Sequence, residues 1–369
     1  MQRHDDPAIA TAALVEPPHE RGPRLPERVD HERVVHVHDP ASGLRAIVAV
    51  HSTVLGPALG GLRRRHYPGG TPEALVDVLR LSAAMTDKAA LAGLDLGGGK
   101  AVVLDDGDEA AWPARLDALA AVLEELGGRY ITAEDIGTTT ADMDRLARGT
   151  AWVVGRSPAA GGVGDPSPVT AETVVEGIRA GLGAATGSED PAGRAVGVVG
   201  LGKVGAAVAV RLAEAGAEVW ACDVDPQRVA ALAASGHVRP ASGLDEVVAR
   251  AGDVLAPCAT GAMVGAELVD ALRCSVVCGA ANNQLADPAV ETLLHERGIV
   301  WVPDVLANCG GLIAVAQERP GGDPASTPAA VARAAARMRE VLARAAEDGV
   351  APGATARAMV AERLAAAAR

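Results

Sequence analysis

Phenylalanine is absent from this chain of 369 residues, which holds only two Tyr and four Trp. The core cannot be stacked from aromatic rings and has to be assembled from Ala, Val and Leu. That composition favours helices and buried parallel strands over an aromatic-rich β-sandwich. The five cysteines, at 222, 258, 274, 278 and 309, are too scattered for a disulfide framework. Cys274 and Cys278 have neither a second cysteine pair nor a nearby His, so no zinc site is expected from them. Also missing is an uninterrupted apolar run of the ~18 residues that a membrane helix needs. The start, MQRHDDP, lacks the apolar segment of a signal peptide. A cytoplasmic, reducing setting is the expectation. With a net charge of −13, neither nucleic acid nor an anionic membrane is an expected partner.

The length exceeds what one core usually supports, so two domains are expected. Hydrophobic residues at 49% and charged ones at 22% make a globular balance. Residues 1–30, rich in Pro, Arg and Glu, read as a loosely ordered leader. Residues 33–38 and 44–51 read as strands around the turn DPASG. The basic run RRR at 63–65 follows a glycine pair and reads as a solvated turn. A helix opens at Thr71, Pro72 and Glu73, with Leu75, Val78, Leu79 and Ala83 at near-helical spacing towards Gly93. Another helix is expected over 113–126, then a short strand over 129–137 presenting Glu134 and Asp135 at its end. Residues 155–170 form a turn-rich connector between domains, followed by a helix to about 184. Apolar segments at 253–256, 274–278 and 298–302 continue a strand–helix alternation, and 328–367 holds two helical runs broken at Gly349–Pro352.

The clearest local unit is RAVGVVGLGKVGAAVAVRLAEAGAEVWACDVD, residues 194–225. An apolar strand runs into Gly200, Gly202 and Gly205, with Lys203 and Val204 between the last two, then a helix and a second strand. Gly200 makes a tight turn, Gly202 lets a pyrophosphate approach backbone N–H groups, and Gly205 permits close helix packing. Asp223, at the end of the second strand, accepts from an adenosine ribose and repels a 2′-phosphate, which favours NAD over NADP. Asp225 reads instead as the cap of the next helix, before Pro226.

In LDLGGGKAVV, residues 94–103, Lys100 stands behind three glycines. A phosphate loop would require Ser or Thr after the lysine and a glycine at 94, where Ala101 and Leu94 stand. Two readings stay open: a surface lysine at the start of a strand, or a functional lysine held by backbone. Lys88 divides the same way, between a charged helix end favoured by the dipole and a ligand for a carboxylate. An amino-acid substrate needs such a cation, and amine-to-imine chemistry needs a proton carrier near neutrality. A desolvated lysine, or one near another cation, has its pKa lowered towards that range.

Six segments in order resemble one family: GPALGG (56–61), MTDKAALAGLDLGGGKAVV (85–103), GGRYITAEDIGTTTADMD (127–144), GDPSPVTA (164–171), VVGLGKVG (198–205) and CGAANNQLA (278–286). They look like the leucine, valine and phenylalanine dehydrogenases, relatives of glutamate dehydrogenase. The resemblance implies an α/β fold of two domains with the active site in the cleft between them. A substrate and oligomerisation domain would span 31–152 plus about 340–369, and a Rossmann NAD-binding domain 153–339. It implies Lys100 as the catalytic lysine that polarises the 2-oxo carbonyl, Asp135 as proton carrier to the substrate nitrogen, and Lys88 as carboxylate ligand. Gly60 and Gly61 would line the substrate site, with Leu59, Ala133, Leu312 and Val315 around the side chain. Asn308 would belong to the segment closing over the substrate. Thr170 would lie near the nicotinamide and Asn282 would touch cofactor. Oxidative deamination to the 2-oxo acid and ammonia, reversible and without a metal, is the implied reaction, in a homo-oligomer (dimer or octamer).

Departures from the family pattern are Asp87 and Ala89 around Lys88, Glu172 and Thr173 after PSPVTA, and Val305 and Cys309 in PDVLANCGG. Asp87 is expected to face solvent. The apolar pocket suits a branched aliphatic chain and offers no cation for a second carboxylate, but one methylene is worth only about 1–3 kcal/mol. A phenylalanine-preferring member is therefore the nearest rival. The segments APCATG (256–261) and VVCGAANNQLA (276–286) look most like valine-preferring bacterial members. A 2-hydroxy-acid dehydrogenase would want a His–Arg pair, and no His lies between 67 and 236. A non-catalytic NAD-binding homologue would be supported by Asp87 and Glu172.

Overall fold

The computed structural model describes residues 29–369, so the expected leader, apart from its last two positions, lies outside the described residues. Five strands form the first sheet: β1 (Arg33–Asp39), β2 (Leu44–Ser52), β3 (Ala58–Arg65), β4 (Gly97–Leu104) and β5 (Tyr130–Glu134), in the order β1-β2-β4-β3-β5. The β1–β2 hairpin is antiparallel and its turn is closed by the Asp39 carboxylate, which accepts from the Ser42 N–H at 3.0 Å. β2 pairs antiparallel with β4, whereas β3 runs parallel to both β4 and β5.

Alternation decides which residues face which helix. Helix α1 (Gly70–Leu91) packs Val78 and Leu79 against Ile47, Ala49 and Val102. On the other face, Leu44, Ala46, Val48, Ala101 and Val103 meet Leu116, Leu119 and Leu123 of α2 (Trp112–Glu125), with Met143 and Leu146 of α3 (Thr140–Leu146). With no Phe available, Tyr130 fills the space that side chains at β4 leave free, and its hydroxyl donates to the Gly60 carbonyl at 2.8 Å. α1 starts before Thr71: Gly69 is its cap, and the Glu73 carboxylate accepts from the Gly69 N–H at 2.8 Å.

The basic run at 63–65 is not a solvated turn. It ends β3, where strand alternation sends Arg63 and Arg64 to opposite faces. Arg64 is buried, pairs with Asp105 and Glu109, and lies over the Trp112 ring. Arg63 pairs with Asp77 and Asp135. Partners supplied from distant segments give two arginines of a run that looks solvated four ion pairs, while Arg65 stays exposed.

The second sheet is wholly parallel. After α4 (Ser167–Thr186), the chain alternates β6 (Ala195–Val199), α5 (Lys203–Glu214), β7 (Glu218–Cys222), α6 (Pro226–Ala234), β8 (Arg239–Pro240), α7 (Leu244–Arg250), β9 (Val254–Pro257), α8 (Ala266–Ala271), β10 (Val276–Val277), α9 (Ala289–Glu296) and β11 (Val300–Trp301). Its order is β11-β10-β9-β6-β7-β8, and the glycine-rich turn leaves β6 near the middle. Short helices α10 (Asp304–Ala307) and α11 (Gly310–Ala316) follow, then α12 (Thr327–Asp348) and α13 (Pro352–Ala367). α12 packs on α4 through Met338, Val341 and Leu342. α13 returns to α1, where Arg363 donates to the Ala90 and Leu94 carbonyls. Among the described residues no helix is long and apolar enough to cross a membrane. All five cysteines are free.

Helix backbone comes against the first sheet at Gly98. A Cβ there would lie 2.1 Å from the Thr86 nitrogen and 2.5 Å from the Ser82 carbonyl oxygen. Backbone at both contacts cannot swing aside, so Gly98→Ala is expected to cost more than the ~1–3 kcal/mol typical of overpacking. A thermal melt of the variant should fall by several degrees, and an unchanged melting temperature would refute this account of the contact.

Candidate active site

Between the two sheets lies a cavity of about 720 Å³. Lys88 enters from the end of α1, Lys100 from the middle of β4, and Asp135 from the residue after β5. Gly60 and Gly61 of β3 also line it. A Cβ on Gly61 would sit 3.1 Å from Lys100 Nζ and 2.6 Å from Asp135 Cβ, so the glycine clears the room in which that pair meets. The three glycines before Lys100 serve packing and form no wall of the cavity. Gly97, Gly98 and Gly99 do not line the cavity; they take the Ser52 backbone, α1 and the Tyr130 ring respectively.

Lys100 is only 5% exposed and its ammonium contacts Asp135 Oδ2 at 2.7 Å. Burial lowers its pKa, Asp135 opposes that shift, and Arg63 adds to it. Burial would raise Asp135, but Lys100 and then Arg63 overcome it and hold the carboxyl below its ordinary value. Arg63 Nε donates to Asp135 Oδ2 at 2.9 Å while Nη1 donates to Asp77 Oδ2 at 3.0 Å. Tyr67 fixes Asp77 in turn by donating its hydroxyl at 2.9 Å. Arg63 lines the cavity and is a site residue that sequence reasoning missed, because the three-arginine run masks it. Its spacing after the glycine pair, one strand period beyond Gly61, was the available signal.

Lys88 differs from Lys100 in having no hydrogen-bond or ion-pair partner among the described residues. Burial pushes its pKa down; the nearby Asp304 carboxylate opposes this and Lys100 reinforces it. Asp304 also lines the cavity and was likewise missed; burial raises its pKa, and its carboxylate accepts from the Asn283 N–H. One wall is apolar. Leu59, Ala133 and Leu312 belong to a single cluster, with Met85 and Val315 packed on it.

Asn282 lines the cavity and its Oδ1 accepts from Asn308 Nδ2 at 2.8 Å. Asn308 stands behind Asn282, also donating to the Ala280 carbonyl, and does not line the cavity. Thr170 does not line it either; its hydroxyl donates back to the Pro166 carbonyl. Lys203 reaches the cavity and pairs with Asp165 at 3.2 Å. In the glycine-rich turn, Gly200 has a φ of +97° and a Cβ on Gly205 would strike the Gly200 carbonyl at 2.0 Å. Gly202 is unlike both, with nothing within 4 Å of its missing Cβ. Val204 follows in α5, which starts without a side-chain cap, so its first N–H groups are free for a ligand. Asp223 accepts from the Leu201 N–H at 2.5 Å and the Asp225 N–H at 2.8 Å, while Asp225 caps α6.

The expectation for Asp87 needs correcting. It is half-buried instead of solvent-facing, does not line the cavity, and burial pushes its carboxyl up to about 6 against the opposing charge of Arg357 on α13. Glu172 is exposed, and Thr173 accepts from the Gly310 N–H at 3.1 Å.

Comparison with known proteins identifies the family. Residues 31–151 match the family described as Glu/Leu/Phe/Val dehydrogenase, dimerisation domain, and residues 224–350 match Glutamate/Leucine/Phenylalanine/Valine dehydrogenase. The chain is 44% identical over 340 residues to a valine dehydrogenase of Streptomyces virginiae, covering 90% of this chain and 94% of that one. It is 39% identical over 338 residues to a leucine dehydrogenase of Geobacillus stearothermophilus, covering 92% of each. The structure of an L-tryptophan dehydrogenase from Nostoc punctiforme superposes with a TM-score of 0.81 at 32% identity, over 92% of this chain and 98% of that one. With two lysines and an aspartate converging beside a glycine-rich turn, the chain belongs to the glutamate/leucine/phenylalanine/valine dehydrogenase family, and it is an amino-acid dehydrogenase that works with a nicotinamide cofactor.

Proposed function

We propose that the protein catalyses the NAD-dependent oxidative deamination of a branched aliphatic L-amino acid, valine or leucine, and the reverse reductive amination. The observation that carries this reading is the partnerless Lys88 beside the Lys100–Asp135 pair and opposite an apolar wall. A largely desolvated cation without a counter-ion is costly unless a ligand supplies one. The substrate α-carboxylate has that charge. Leu59, Ala133, Leu312, Val315 and Met85 then take the side chain, and none of them offers a cation to a second carboxylate.

The cofactor reading rests on this chain's own backbone. Gly202 and the uncapped start of α5 leave the room and the N–H groups that a pyrophosphate takes, with Lys203 and Val204 beside it. Asp223 would face the ribose and disfavour a 2′-phosphate, which supports NAD. When bound, the nicotinamide supplies the hydride acceptor. Lys88 anchors the carboxylate so that Cα is held in one orientation. Asp135 exchanges protons with the substrate nitrogen. Lys100, with its lowered pKa, takes a proton from the water that attacks the imino carbon and later polarises the carbonyl oxygen. Arg63 holds Asp135 against Asp77, so the carboxylate stays within reach of both lysine and substrate. Asn308 acts through Asn282, which it orients; Thr170 lies one helical turn from Pro166 at the cavity's edge.

A substrate domain at 31–152 with about 340–369, a Rossmann domain at 153–339, a homo-oligomer (dimer or octamer) and a cytoplasmic location go with this reading. The match of residues 31–151 to a dimerisation domain supports the assembly.

NADH production with a panel of amino acids tests the whole. Valine or leucine is expected to give the highest kcat/KM, ahead of phenylalanine, tryptophan and glutamate; no turnover with any of them would refute the function. Lys100→Ala should lower kcat by roughly 10²–10⁴-fold, whereas Lys88→Met should act mainly on KM for the amino acid. Arg63→Met removes a charge that lowers the Lys100 pKa and frees Asp135 to pair more fully with the lysine, and both effects raise that pKa. The alkaline rise of kcat/KM for deamination should therefore move to higher pH, and a shift to lower pH would contradict the assigned geometry. Gly202→Ala meets no atom in the fold, so it should leave the melting temperature unchanged while raising KM for NAD by roughly tenfold. An unchanged KM would remove Gly202 from the cofactor site.

A further inference from the structure

We propose that Asp30, His31 and His51 form a site for a divalent transition-metal ion, of the Zn²⁺ or Co²⁺ class, behind α1 and outside the catalytic cavity. None of the three lines that cavity. One donor atom of each lies within 4.8 Å of the others, and the two imidazole rings meet edge to face with centroids 4.8 Å apart.

The hydrogen bonds fix what His31 can offer. Its Nε2 lies 3.1 Å from the Leu79 carbonyl oxygen and 2.8 Å from Ser82 Oγ. A carbonyl has no proton, and the Ser82 hydroxyl donates its own to the backbone of α1. Nε2 must therefore carry the hydrogen, which leaves the neutral ring's lone pair on Nδ1. That atom is buried and has no partner. An imidazole that donates one N–H to a carbonyl and keeps the other nitrogen bare has the arrangement of a metal-ligating histidine.

His51 arrives by a different device. β2 and β4 pair regularly up to Val50–Gly99 and resume at Ser52–Gly98, so His51 is the extra residue of a β-bulge. Bulges re-aim a side chain, and this one faces Thr86 of α1, with Nδ1 2.8 Å from Oγ1. In the tautomer that donates to Thr86, Nε2 is free to ligate, and no hydrogen bond occupies it among the described residues. Asp30 adds a carboxylate. Glu32 adds a second negative charge nearby, and its carboxylate accepts from the Thr53 N–H and hydroxyl. Two neutral imidazoles and a carboxylate suit a borderline cation, with a fourth position left for water. Ligands around zinc stand closer than 4.8 Å, so binding would draw Asp30 inward from its exposed approach to β1. The ion would staple the segment before β1 to the end of β2 and, through both histidines, to the helix that carries Lys88.

The full chain, stripped with a chelator and dialysed, should be titrated with Co²⁺ by visible absorption and with Zn²⁺ by calorimetry. One ion per chain is expected, with the visible bands of Co²⁺ bound to nitrogen ligands. His31→Gln keeps a donor at the Nε2 position and loses Nδ1; His51→Asn keeps the Thr86 contact and loses Nε2. Each should weaken binding by at least roughly tenfold while still melting cooperatively. The exposed pair His36 and His38 on β1 is the control, and their joint replacement by Ala should leave affinity unchanged. Absence of binding to the parent chain, binding indifferent to His31→Gln and His51→Asn, or binding lost with His36 and His38 would each overturn the site.

Discussion

Two lysines have to converge on one cavity, and the contact that allows it is helix backbone against a strand face without side chains. Lys88 is fixed to α1 and Lys100 to β4, so their separation is set by how closely that helix lies on that strand. Gly98 admits the Thr86 nitrogen and the Ser82 carbonyl to distances that even an alanine would forbid. Gly60 repeats the device one strand over, where a Cβ would strike the Gly99 carbonyl at 1.8 Å and Met85 at 3.3 Å. Gly98 is thus spent on helix–sheet distance, and Gly60 chiefly on the approach of β3 to β4. The substrate is given the space that remains between α1, β3 and β5.

Bringing cations together inside protein creates an electrostatic problem that the fold resolves unequally. Arg63, Lys88 and Lys100 face Asp77, Asp135 and Asp304 in and around the cavity. Arg63 holds two carboxylates and Lys100 one, so that side is neutralised by direct contact. Lys88 touches no carboxylate and feels Asp304 and Asp135 only through space, and burial has raised the pKa of Asp304. The shortfall of negative charge is therefore localised at one ammonium, on the side next to the apolar wall. A ligand with a carboxylate at one end and a hydrocarbon at the other meets both demands at once, and a ligand with two carboxylates meets only the first.

Much of this was legible in the chain. The strand–glycine–helix–strand–acid unit around Gly200 and Asp223 is local, and local patterns survive inspection: Asp225 caps α6 as its place before Pro226 suggests. The hairpin, the helix after Pro72 and the alternation of the second half also follow from period and turn chemistry. What failed was long-range. Arg63 and Arg64 looked like solvated charges because their partners, Asp77, Asp105, Glu109 and Asp135, come from other segments. Asp87 looked solvent-facing because α13, which covers that side of α1, arrives only at the end of the chain. Spacing alone left Lys88 and Lys100 open between surface and site, and only the ordered motifs around them decided the question.

Asp87 also separates a departure in sequence from a departure in chemistry. A carboxylate one residue before Lys88, the lysine proposed to bind the substrate carboxylate, looks as if it should compete with substrate. On a helix, however, neighbours in sequence point about 100° apart. Lys88 turns to the cavity while Asp87 turns towards Arg357, where burial lifts its pKa to about 6. Its charge is aimed at α13, away from the cavity, so it opposes neither Lys88 nor a carboxylate bound beside it. The neighbouring departures act just as locally: Thr173 caps the Gly310 N–H, and Glu172 lies in water. Helical phase confines all three substitutions to the scaffold and leaves the charge pattern of the cavity intact.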